Sequence, residues 1–95
     1  MYFVYFIKET GTENTVKIGY CSNLNQRLSA LQCGNHRRLY YYTYINVGIH
    51  KQIEKNLHSI LKEKNLRGEW FYLTDKEIDT IKNDIKEYLL INNLF

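Results

Sequence analysis

Apolar and polar positions divide the chain into alternating short runs with different periods. Residues 2–9, YFVYFIKE, are dense in aromatic and β-branched side chains and predict a strand. The polar stretch TGTENT at 10–15 is turn material, and TVKIGY at 15–20 predicts a second strand joined to the first as a hairpin. Over residues 22–35 the period changes: Leu24, Leu28 and Leu31 recur at helical spacing, Ser22 or Asn23 supplies a cap, and Gly34 sits where a left-handed terminus belongs. Residues 37–47, RRLYYYTYINV, predict a third strand, with Leu39, Tyr41, Thr43 and Ile45 on one face and Tyr40, Tyr42 and Tyr44 on the other. A second helix over 49–64 turns Ile49, Ile53, Leu57, Ile60 and Leu61 inward. GEWFYL at 68–73 is a turn followed by a short extended piece. Thr74-x-x-Glu77 is a capping box that opens a helix over 74–93, with Ile78, Ile81, Ile85, Tyr88 and Leu89 facing the core. The expected fold is α+β: a small three-stranded antiparallel sheet flanked by helices, in the order β-β-α-β-α-(short β)-α. It forms a single domain over 1–95, its core in 2–73 and its last helix in 74–93.

Composition narrows the class. Nine Tyr, four Phe and one Trp give a chain of 95 residues large surfaces to bury, which a domain this short needs. The net charge of +3 is uneven: residues 1–74 carry +5 and residues 75–95 carry −2. A basic body suits a polyanionic partner, although charge alone does not identify one. Cys21 and Cys33 stand twelve positions apart without a CxxC, which fits reduced thiols. The opening MYFVYFI lacks a basic start and is too short for a signal peptide, and no apolar run approaches a membrane span of about 20 residues. The expectation is a soluble intracellular protein with no membrane contact.

Chemistry concentrates in a few places. In HKQIEKNLH, residues 50–58, a helix stacks His50, Glu54 and His58 at i, i+4 and i+8 along the edge of the apolar stripe. This is not the HExxH zinc pattern, and the two His are too far apart to share one ion. Such an edge suits a metal-binding carboxylate, and it suits an ordinary solvated Glu equally well. Lys17 is an unusual strand residue beside Ile18 and Gly19, and a Gly at a strand end permits close backbone approach. Arg27 borders the Leu stripe, where its guanidinium can fork onto a phosphate or its stem can simply cover leucines.

Four ordered blocks, KIGY (17–20), RLSALQCGN (27–35), EKNLH (54–58) and GEWF (68–71), resemble the short stand-alone branch of the GIY-YIG nuclease superfamily, over residues 2–73. The resemblance implies a metal-dependent endonuclease that hydrolyses phosphodiester bonds in DNA. Glu54 would bind one Mg²⁺ or Mn²⁺, Arg27 would neutralise charge on the phosphorus, and Tyr5, in FVYFI, would orient or activate the attacking water. Lys17 stands where much of the superfamily has a Tyr, so it either acts as base or holds phosphate. Tyr20 points to the opposite side of a regular strand. His58 is then the base or a hydrogen-bond partner of Glu54. Glu69 is a second acidic group near the metal or a turn partner. Gly19 supports the close approach, Gly68 makes a tight turn, and Trp70 and Phe71 are core. His36, Arg37 and Arg38 are the expected sequence-independent contacts to DNA backbone, while His50 is a surface residue. Weak sequence preference follows unless the chain acts as a homodimer. Two rivals remain at this level: a catalytically silent nucleic-acid-binding module, and a protein-interaction domain using Tyr40, Tyr42 and Tyr44.

Overall fold

The computed structural model describes residues 1–94; Phe95, the last position of the predicted domain, lies outside the described residues. The elements are β1 (Tyr2–Glu9), β2 (Thr15–Cys21), α1 (Leu24–Gln32), β3 (Leu39–Gly48), α2 (Gln52–Ile60), a 3-10 turn at Lys62–Lys64, β4 (Asn65–Arg67), β5 (Trp70–Tyr72) and α3 (Asp75–Ile91). The α+β class and the element order hold, but the sheet has five antiparallel strands in the order β3-β1-β2-β5-β4. The extra strands form a tight hairpin around Gly68 (φ +50°) and Glu69, braced by the Asn65 amide, which donates to the carbonyls of Gly68 and Trp70. Every residue of β4 is exposed, so no burial pattern marks it.

The sheet is covered on both faces. Val4, Phe6, Val16, Ile18, Ile45, Val47 and Phe71 pack against α2 and α3, and Tyr5, Ile7, Cys21 and Leu39 pack against Leu24, Leu28 and Leu31 of α1. Strand β1 lies inside the sheet between β3 and β2, and its alternate residues serve the two cores in turn, as period-2 geometry requires. In β3 that alternation breaks. The register runs Ile7↔Tyr41 but Phe6↔Thr43, so Tyr42 is an extra residue in a bulge. The bulge flips side-chain parity: Leu39 and Tyr41 face α1, whereas Thr43 and Ile45 face α3, where the Lys82 ammonium donates to the Thr43 hydroxyl. The single face expected for Leu39, Tyr41, Thr43 and Ile45 is therefore split. So is the Tyr40-Tyr42-Tyr44 surface: the Tyr42 hydroxyl donates to Asp79 of α3, while Tyr44 packs on Tyr41 and Phe3.

Helix α2 is shorter than the 49–64 reading. It starts at Gln52, and Ile49 and Ile60 are exposed at 78% and 77%. His50 precedes the helix, so the three-residue stack reduces to Glu54 and His58. Tyr88, assigned to the core face of α3, is likewise exposed, whereas Ile78, Ile85 and Leu89 are buried. Both halves of the Thr74–Glu77 capping box form. Thr74→Ala removes the acceptor for the Glu77 N–H and is expected to cost about 1 kcal/mol in a denaturant titration. The same end of α3 is tied to β1 by Lys8, which is buried and paired with Asp75 while its ammonium lies over the Tyr42 ring. Asp75→Ala strands that ammonium and is expected to cost about 1–3 kcal/mol, more than Asp75→Glu. Both Cys are free thiols, Cys21 buried and Cys33 exposed. No helix of the described residues is long and apolar enough to cross a membrane.

Candidate active site

Strand β5 pairs with β2 only from Thr15 to Lys17. Beyond that point the edge of β2 is completed differently on its two sides: the Ile18 N–H donates to the Glu69 carbonyl (3.0 Å), and the Ile18 carbonyl accepts from His58 Nε2 (2.9 Å). Helix α2, which belongs to the α3 side of the sheet, thereby reaches the notch where β5 leaves β2. Lys17, Gly19 and Cys21 face the α1 side of that notch. Groups from opposite faces of the sheet so converge at its edge.

Tyr5, on β1, lies opposite Gly19 in the sheet register. A Cβ at Gly19 would stand 2.3 Å from the Tyr5 hydroxyl oxygen, so the missing side chain is the space the phenol occupies. Tyr5 is fully buried, and its oxygen accepts from Arg27 Nη1 at 3.2 Å. Burial pushes the phenol above its ordinary pKa of 10.0, against the opposing pull of Arg27. The hydrogen bond to Tyr5 in turn raises Arg27, which stays charged. Tyr5 is therefore an acceptor that supports Arg27, and phenolate formation is disfavoured. Tyr41 completes the brace: it meets the Tyr5 ring edge-on at 5.8 Å and donates to the Leu24 carbonyl at the start of α1.

Glu54 is 8% exposed and accepts no hydrogen bond from the described residues; its nearest ionic neighbour is His58 Nε2 at 3.6 Å. Burial raises its pKa above 4.5, opposed by His58 and Lys17 and reinforced by Glu69. A carbonyl only accepts, so His58 Nε2 carries the hydrogen that bonds Ile18. Lys17 Nζ is 3.3 Å from Glu69 Oε1 and lies 5.6 Å from the centre of the Trp70 ring. One ligand atom each of Glu54, His58 and Glu69 fall within 4.8 Å of one another. Two carboxylates, Glu54 without a hydrogen bond and Glu69 partly exposed, form an oxygen donor set that fits a divalent cation, with the His58 imidazole beside them.

Of the residues singled out in the sequence, Tyr5, Lys17, Gly19, Arg27, Glu54, His58 and Glu69 come together here. Glu69 acts electrostatically on Tyr5, Arg27 and Glu54 alike, which makes the cluster continuous. His36, Arg37 and Arg38 lie apart from it. His36 and Arg38 line a hollow of about 590 Å³ between α1 and β3, with Leu28, Gln32 and Cys33. Arg37 Nη1 instead donates to the Thr10 carbonyl, bracing the β1–β2 turn. Tyr41 and Trp70 were missed as members of the site. Trp70 is half-buried: it packs against the Tyr5, Ile7, Cys21 and Leu39 core, as expected, and its ring also faces Lys17. The adjacency of Lys17 and Trp70 follows from the β2–β5 register, which no local pattern carries; Tyr41 shows only as one Tyr in a run of three.

Comparison with curated proteins and with solved structures finds no match. The family model of the T5orf172 domain matches residues 2–86, nearly the whole chain. The chain belongs to the T5orf172 domain family, a family of nuclease-like domains.

Proposed function

We propose that this protein is a divalent-metal-dependent endonuclease of the GIY-YIG type, acting on DNA. The observation that carries the reading is Glu54: a carboxylate 8% exposed, without a hydrogen bond, set among Glu69, His58 and Lys17 beside the Tyr5–Arg27 pair. A carboxylate with little exposure, no hydrogen bond and oxygens still open to solvent adds nothing to a structural core. A site that holds a cation against a phosphate has a use for one.

In this reading Glu54 holds Mg²⁺ or Mn²⁺, hard ions that take oxygen ligands and share their remaining positions with phosphate. When bound, the ion polarises the phosphoryl oxygen and stabilises the leaving group. Arg27, fixed by Tyr5, meets the negative charge that builds on the phosphorus; such preorganised charge typically makes the largest contribution. Tyr5, wholly buried, acts through Arg27: its hydroxyl oxygen accepts from Nη1 and holds the guanidinium in position. Proton acceptance passes to His58 through Nδ1, because Nε2 is engaged by the Ile18 carbonyl. His36 and Arg38 contact flanking backbone, without reading sequence.

The test is nicking of supercoiled plasmid. The protein is expected to convert it to open circles with Mg²⁺ or Mn²⁺ and to stop on addition of a chelator. DNA affinity is expected to fall as salt rises. Salt-sensitive binding without cleavage under either metal would replace this reading with that of a binding module.

A further inference from the structure

The salt bridge between Lys17 and Glu69 sits inside the proposed metal site, and the two residues have reasons to part. Glu69 lies in the two-residue turn of the β4–β5 hairpin. Its backbone is pinned by the Ile18 N–H, but its side chain is 41% exposed and free to re-aim. Lys17 is 17% exposed and has a second attraction in the Trp70 ring. Glu69 and Glu54 offer ligand atoms within 4.8 Å of one another, and only Glu69 has an ammonium beside it at salt-bridge distance. An ammonium and a divalent cation cannot both stand close to one carboxylate without repelling each other.

We propose that Glu69 is the second carboxylate ligand of the metal and that it accepts the ion in exchange for Lys17, which is released towards the phosphate of the strand being cut. The inference rests on the nuclease reading for the last step but not for the exchange. Lys17 thus holds Glu69 in place until the ion arrives, and contributes a positive charge to substrate afterwards. The lysine that replaces a tyrosine in the KIG block becomes a gate coupled to metal occupancy.

Metal binding measured calorimetrically on the full chain without DNA separates this from a structural salt bridge. Lys17→Met removes the competitor, so Mn²⁺ is expected to bind about tenfold tighter, while cleavage falls. Glu69→Gln is expected to bind Mn²⁺ at least about tenfold more weakly. A purely structural bridge gives the same sign for both variants. Trp70, the only tryptophan, adds a second readout. Its fluorescence is expected to change when Mg²⁺ is titrated into the wild type, as Lys17 parts from Glu69 and shifts against the ring, and to stay constant in Lys17→Met. Melting curves of both variants identify any loss due to misfolding, with Lys17→Gln as the milder alternative. Unchanged or weaker Mn²⁺ binding in Lys17→Met overturns the exchange, and unchanged binding in Glu69→Gln overturns the ligand assignment. If the wild type binds metal with these signs but never cuts DNA, the nuclease reading fails and the exchange stands.

Discussion

Glu54→Gln is expected to lower cleavage at least roughly 100-fold while leaving the fold no less stable than the wild type. The two halves of that result have one origin. Glutamine keeps the shape of the side chain and removes the charge that would hold the ion. It also removes the cost of burying that charge, because Glu54 is 8% exposed and accepts no hydrogen bond from the described residues. The sign with pH follows from the direction of the shift. Burial raises the folded pKa of Glu54 above its ordinary 4.5, so the fold prefers the protonated carboxyl. Its contribution to stability is then fully present below the unfolded value and is lost as pH rises through the folded one. At neutral pH the wild type bears the penalty and the Gln variant does not. The difference in melting temperature should narrow as the solution is acidified towards pH 4.5. Thermal melts over that range, run without added metal, check the second half; plasmid nicking checks the first. Cleavage that survives the substitution would move the chemistry to another site. Loss of cleavage together with a lower melting temperature would make Glu54 structural.

A carboxylate brought under cover by tertiary packing, its oxygens still reaching solvent, is where sequence reasoning has least purchase. The fold was largely legible because its periodic elements are strong: the dense aromatic β1, the leucine spacing of α1, and an α3 opened by a capping box. What escaped lacks a local signal. Strand β4 is exposed throughout, so nothing in its composition separates it from a loop, and it forms because β5 offers it an edge. The bulge at Tyr42 is invisible in a run of tyrosines that satisfies alternation in either register. At the site, Tyr5, Arg27 and Glu54 were placed by the family resemblance of the blocks they stand in or beside, not by periodicity or spacing alone. The contacts that join them are tertiary. His58 meets Ile18, and Lys17 meets Glu69, only after β5 stops short along β2. Helical periodicity put Glu54 at a drifting edge, whereas the closure of α2 over the notch buries it.

Gly19→Ala is expected to remove most activity and some stability, although the residue carries no chemistry. Its backbone is not left-handed, so the effect is steric alone. The added methyl would lie 2.3 Å from the Tyr5 oxygen and 2.5 Å from Cζ, far inside contact distance. Tyr5 cannot yield easily, being wholly buried between β2, β3 and α1 with Tyr41 against its ring. Overpacking of this kind costs about 1–3 kcal/mol. Whatever shift relieves it carries the hydroxyl away from Arg27, whose 3.2 Å hydrogen bond fixes the guanidinium. A displacement of about 1 Å at a positioning group can cost about 100-fold in rate. Tyr5→Phe distinguishes the two consequences. Alone, it removes the hydroxyl and tests the Arg27 anchor without overpacking. Combined with Gly19→Ala it does not restore stability, because the Cζ clash remains. The decisive comparison is cleavage by Gly19→Ala and Tyr5→Phe at a temperature where both are folded. Both should be slow, and a Gly19→Ala protein that cuts at the wild-type rate would show that the position of Tyr5 does not matter to the reaction.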